Sequence, residues 1–96
     1  MTLDEVKLLL KSNNFIVEVN NIPYKFVGDS LNINNKPTTH YVVEETEKGF
    51  YLRTNPPISS SNPLRLLIDD THYKMRITIM DEYNDKEFCT LIPYLF

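Results

Sequence analysis

The sequence predicts an α+β domain: one N-terminal helix packed on a largely antiparallel sheet of about six or seven strands, flat or partly rolled into a barrel. Three observations carry this. A segment at the N-terminus places apolar residues at helical spacing, while many later segments alternate apolar and polar residues with the period of two of a half-buried strand. The breaks between those segments are short, which joins neighbouring strands antiparallel. The 96 residues make a single domain, 1–96, because either side of the proline-rich break near the middle is too small for its own core.

The helix comes first. Thr2-Leu3-Asp4-Glu5 has the capping-box form, and Leu3, Val6, Leu9 and Leu10 then share one face. Asp4 and Glu5 sit where the helix dipole favours anions, and Ser12-Asn13-Asn14 ends the helix after about three turns. So short a helix needs a sheet to dock on.

Strand follows strand thereafter. Phe15 to Val19 reads with Phe15, Val17 and Val19 on one side, and Tyr24 to Val27 pairs with it across Asn20-Asn21-Ile22-Pro23. Leu31 and Ile33 give at most a short strand inside an Asn-rich segment ending before Pro37. His40 to Glu44 and Phe50 to Arg53 form a hairpin around Glu45-Thr46-Glu47-Lys48-Gly49, with Gly at the position that favours a left-handed residue. Thr54 to Pro63 holds three prolines among polar residues and reads as a surface loop. Leu64 to Ile68 is a further strand. The best-specified stretch is Tyr73 to Ile92: Tyr73, Met75, Ile77 and Ile79 alternate with Lys74, Arg76 and Thr78. Turn formers from Asp81 to Lys86 then lead into a returning strand from Glu87. The last residues, Tyr94-Leu95-Phe96, are apolar and are expected to pack back on the core or to join a binding surface.

Composition narrows the class of protein. The chain lacks Ala, Gln and Trp and contains ten Asn, a bias towards AT-rich codons that points to a low-GC bacterium or its phage. A lone cysteine, Cys89, makes no internal disulfide, and neither a signal-like N-terminus nor an apolar run near the roughly 20 residues that span a bilayer is present. A reduced, cytoplasmic setting and no membrane partner are expected. The net charge of −3 is too mild for long-range steering and weighs weakly against non-specific nucleic-acid binding.

Residues that could carry chemistry are few. His72 with Asp70, joined in space by His40 or another carboxylate, would be a metal or general-base site, but Asp69-Asp70-Thr71-His72 reads more simply as a turn, and no metal or cofactor is expected. Cys89 lies mid-strand, as a buried or half-buried filler does, without the base or positive field that activates a thiol. Glycine-rich phosphate loops are absent, because only Gly28 and Gly49 exist. An enzyme is therefore not expected.

Two residue sets remain as candidate binding sites. The acids Glu44, Glu45, Glu47, Asp81, Glu82 and Asp85 gather at the turns of the two clearest hairpins; if those turns lie at one end of the sheet, they make an anionic patch for a basic groove on a partner. The alternative is an anion-binding sheet face of Tyr51, Arg53, Arg65, Lys74 and Arg76, which would hold a nucleotide or single-stranded RNA by stacking and bidentate hydrogen bonds. Solvated turn charges and edge-protecting arginines are the ordinary reading of each set.

The acid-capped helix at Thr2 to Glu5, running straight into an antiparallel sheet on a short acidic chain, resembles small phage anti-defence proteins such as the acidic inhibitors of CRISPR effectors. The resemblance covers architecture and charge and transfers no site residue. It implies a non-enzymatic binding protein that occupies a surface of a larger host protein or complex. A nucleotide or RNA module and a virion or structural component are the alternatives.

Overall fold

A computed structural model describes residues 1–71 and 74–94; the expectations placed on His72, Tyr73, Leu95 and Phe96 lie outside the described residues. After α1 (Leu3–Ser12) come β1 (Asn14–Val17), β2 (Pro23–Val27), β3 (Ser30–Ile33), β4 (Lys36–Thr46), β5 (Gly49–Asn55), β6 (Leu64–Thr71), β7 (Lys74–Asp81) and β8 (Lys86–Pro93). Each strand pairs antiparallel with the next, and β1 pairs with β8 through Phe15↔Pro93, Ile16↔Ile92 and Val17↔Leu91, so the sheet is a closed barrel. The expectation of six or seven strands in a flat or partly rolled sheet is thus corrected to eight in a closed one.

The extra strand is β3, which two-sided pairing stabilises despite its length. Asn34 and Asn35 take left-handed φ values of 57° and 65°, as a two-residue hairpin turn demands, and asparagine tolerates that region better than most residues. β4 also begins earlier than expected. Pro37 is accommodated because the register slips between Leu31 and Asn32, leaving Thr38 as a bulge where no ladder hydrogen bond is required.

The capping box forms as written: Thr2 Oγ1 accepts from the Glu5 amide at 3.2 Å, and Glu5 Oε1 accepts from the Thr2 amide at 3.0 Å. Those bonds hold the Glu5 carboxyl below its ordinary value. α1 buries Val6 and Leu10 in the same cluster as the inward strand residues, packing on β2 and β4. Inside the barrel, Phe26 meets Phe15 and Tyr41 edge to face, with centroids 6.2 Å and 5.1 Å apart. Leu52, Leu64, Ile77, Ile79 and Leu91 fill the remainder. Arg53, Asp69, Lys74 and Arg76 stand on the outside, so the barrel is apolar within and polar without, the reverse of a membrane-spanning barrel. No helix among the described residues is long and apolar enough to cross a membrane.

Val19 departs from the expected inward row. The Val17 amide donates to the Ile22 carbonyl and the Asn21 amide to the Val17 carbonyl, so the strand stops at Val17, and the turn that follows leaves Val19 87% exposed. The loop between β5 and β6 starts at Pro56, two residues later than expected, and is fastened down. Asn62 donates to the Thr54 carbonyl and accepts from the Thr54 amide, standing in for a strand neighbour, while Ser61 is buried against Asp81. Both Asn55-Pro56 and Asn62-Pro63 are cis peptides.

Candidate functional site

Closure of the sheet leaves no free strand edge among the described residues, so a partner cannot add a strand to this sheet. Only the outer faces, the turns and the barrel mouth are left open to contact. Parts of the two expected residue sets meet on one outer face, around Tyr51.

Tyr51 points outward from β5, opposite Glu44 on β4 and Arg65 on β6. It is nonetheless only 8% exposed. The turn after β7 folds over it, and its hydroxyl donates to Glu82 Oε1 at 3.1 Å. Burial and that carboxylate push the phenol above its ordinary value. Arg65 Nη1 lies 3.5 Å from the same Glu82 oxygen, so one carboxylate holds both a phenol and a guanidinium. The Arg65 guanidinium packs on Gly49, whose φ of 127° is open to glycine and whose missing side chain leaves the space; a Cβ there would stand 3.8 Å from Nε and Nη2. The Arg65 Nε is buried without a hydrogen-bond partner.

Arg53, next to Tyr51 on the same face, is clamped by Glu44 in a two-point contact, Nε to Oε1 at 2.6 Å and Nη2 to Oε2 at 3.4 Å. The contact raises the guanidinium's pKa further, and the Tyr83 phenol lies within electrostatic range of it. Tyr83 is itself 79% exposed at the tip of the β7–β8 turn, the most exposed aromatic residue described. Lys48 of the β4–β5 turn lines shallow grooves on both sides, one with Glu44, Glu47 and Arg53, the other with Arg65, Glu82 and Asp85. Because the strands alternate in direction, the β4–β5 and β7–β8 turns leave the barrel at opposite ends, so the condition of the anionic-patch reading, both turns at one end of the sheet, is not met. Lys48 and Glu82 nonetheless border one groove beside Arg65, and the face there is mixed in charge, because basic residues sit between the acids.

Three members of the expected sets lie elsewhere. Asp81, counted among the turn acids, is 3% exposed. Its carboxylate accepts from the Ser61 hydroxyl and, at 3.1 Å and 2.7 Å, from the backbone and side-chain nitrogens of Asn84; the Ser61 bond above all holds it below the usual carboxylate range. It ties the β5–β6 loop to the β7–β8 turn. Arg76 pairs with Glu18 beside the barrel mouth, and its strand position lies opposite Asp69, four residues along β6 from Arg65, on the order of 13 Å away at the rise of a strand. Lys74 borders the same distant groove. The five cationic and aromatic residues thus belong to two places and make no continuous face. Glu45 and Glu47 are exposed at the β4–β5 turn.

Tyr83 is the residue that sequence reasoning passed over. The available signal was an aromatic side chain at the centre of a hairpin turn, a position from which no core can be reached. Cys89 is buried as expected, and burial pushes its thiol up to about 12, so it is a neutral, poor nucleophile. Among the described residues no three His, Cys, Asp or Glu side chains converge as a metal site would require. No protein-family model, curated protein or solved structure matches this chain.

Proposed function

We propose that the chain is a non-enzymatic protein-binding module, which acts by occupying a surface of a larger host protein or complex with the face around Tyr51, Arg53 and Tyr83. Inhibition of a bacterial defence complex is the form of this activity that the short acidic chain and its AT-rich composition favour. The observation that carries the reading is the pairing of charges on that face: Arg53 and Arg65 are each already held by an internal carboxylate, while Tyr83 stands free above them.

A phosphate would have to displace Glu44 or Glu82 before either guanidinium could grip it, and Glu47 and Asp85 would repel it on approach. A protein partner needs no such displacement. Exposed Tyr with Arg beside it, surrounded by fixed polar groups, is the usual composition of an interface anchor. Pairing before contact also means that those long side chains lose little freedom on binding.

The test is a tagged pull-down from a low-GC bacterial lysate with the wild-type chain, Tyr83→Ala and Arg53→Glu, read by mass spectrometry and by the absorbance ratio for bound nucleotide. One stoichiometric protein that both substitutions remove is the expected result. A partner recovered equally by all three chains, or nucleotide in place of protein, refutes the proposal.

A further inference from the structure

The barrel has two unlike ends. α1 enters β1 at Asn14 and covers one end with Val6 and Leu10. At the other end of β1, the turn from Glu18 to Ile22 borders an open cavity of about 360 Å³ at the barrel mouth. That volume falls within the range of small-ligand sites.

The cavity is polarised. Val17, Ile22, Ile33 and Phe88 form its apolar wall, and Tyr24 and Cys89 also line it. Burial raises both groups' pKa values, so each stays neutral and offers hydrogen bonds without charge. Three charges line the cavity. Arg76 is taken by Glu18, so its charge is already answered. Glu87 accepts from the Thr90 hydroxyl at 2.7 Å through one oxygen and forms no ion pair among the described residues. The cavity therefore combines an apolar wall with one uncompensated carboxylate.

We propose that this mouth binds a small primary amine with a compact apolar body, the ammonium on Glu87 and the body against Val17, Ile22, Ile33 and Phe88. An acid of the same shape would meet Glu18 and Glu87 and could reach Arg76 only by displacing Glu18.

Amide chemical-shift titrations test this with phenethylamine and its acid counterpart, 3-phenylpropionate, on the wild type, E87Q and E18Q. Both substitutions are close in shape, and Glu87 is exposed, so spectral dispersion checks that each variant is folded. Phenethylamine is expected to move the amides of Val17, Ile22, Tyr24 and Thr90 with millimolar affinity, and 3-phenylpropionate to leave them in place. E87Q is expected to weaken the amine about three- to fivefold, the effect of a partly exposed charge pair. E18Q releases Arg76 and should let the acid bind. Equal binding of amine and acid by the wild type, undiminished amine binding by E87Q, or shifts confined to residues away from the mouth would each overturn the proposal.

Discussion

Raising the pH from 7.5 to 9.5 should destabilise this protein through a single side chain. Cys89 is 8% exposed, and burial pushes its thiol up to about 12, whereas an unfolded cysteine ionises near pH 8.5. The unfolded chain therefore loses its proton first. The stabilisation from keeping the thiol neutral is complete below about pH 8.5 and is lost as pH rises towards the folded value. At pH 9.5 roughly ten-elevenths of the unfolded thiol is ionised and almost none of the folded, a loss on the order of 1 kcal/mol. Tyr24, whose buried phenol is also raised, adds to the slope only above about pH 10, where an unfolded tyrosine begins to ionise. Urea unfolding followed by circular dichroism at the two pH values, on the wild type and Cys89→Ala, reads the effect directly. With a urea slope of roughly 1–1.5 kcal/mol/M for a domain this small, the wild-type midpoint should fall by about 1 M. Cys89→Ala begins less stable but should show no such fall. Equal falls in the two proteins would mean that the thiol is hydrated in the folded state and that the barrel mouth is wetter than its packing implies.

Thr2→Ala removes the oxygen that caps α1 and should cost about 0.5–2 kcal/mol, read by thermal unfolding. At Asn35, φ 65°, substitution by Val should cost on the order of 1–2 kcal/mol because a branched side chain resists the left-handed region, whereas Asn35→Gly should be close to neutral. Ser61→Ala leaves the buried Asp81 carboxylate short of a donor and should cost about 1–3 kcal/mol at neutral pH. Asp81 is held low in the folded state, so its contribution is present above the ordinary carboxylate pKa of about 3.9 and is lost as pH falls past it; acid titration of the unfolding midpoint should show Ser61→Ala losing less stability between neutral and acid pH than the wild type.

Local chemistry made much of the fold readable, and long-range pairing did not. Thr2 and Glu5 announced the helix because a capping box is complete within four residues. Ile77 and Ile79 fell inside and Lys74 and Arg76 outside because the side-chain period of a strand leaves no choice once one face is apolar. Val19 obeyed the same period and was misplaced, since a turn set by the Val17 and Ile22 backbones ended the strand before it. Barrel closure rests on Val17 meeting Leu91, residues from opposite ends of the chain whose local patterns are those of any strand. β3 was undervalued because its worth lies in its two neighbours. For the candidate face, the sequence marked the turn acids and the strand arginines separately. That Glu44 would clamp Arg53 follows from register, Val42 opposite Arg53 and Glu44 two residues on, and register appears only once the hairpin is closed.

Charge pairing also separates the two proposed surfaces by the kind of partner each would admit. Around Tyr51, Arg53 and Arg65 each already face a carboxylate, so what this face would offer a partner is shape, the exposed Tyr83 ring and hydrogen-bonding edges held in place. Such a surface gains little from a simple ion and more from a second protein whose contours exclude water from the ring. At the mouth the balance is broken by Glu87, and the apolar wall behind it is concave, so a small cation with an apolar body gains from both. Because Arg76 and Glu18 border the mouth, away from the Tyr51 face, a substitution at either place should leave the other's binding unchanged, and distant sites with no shared partners are expected to add independently. Loss of amine binding in Arg53→Glu, or of the protein partner in E87Q, would reveal a coupling through β6 and β7 that the separate ion pairs give no reason to expect.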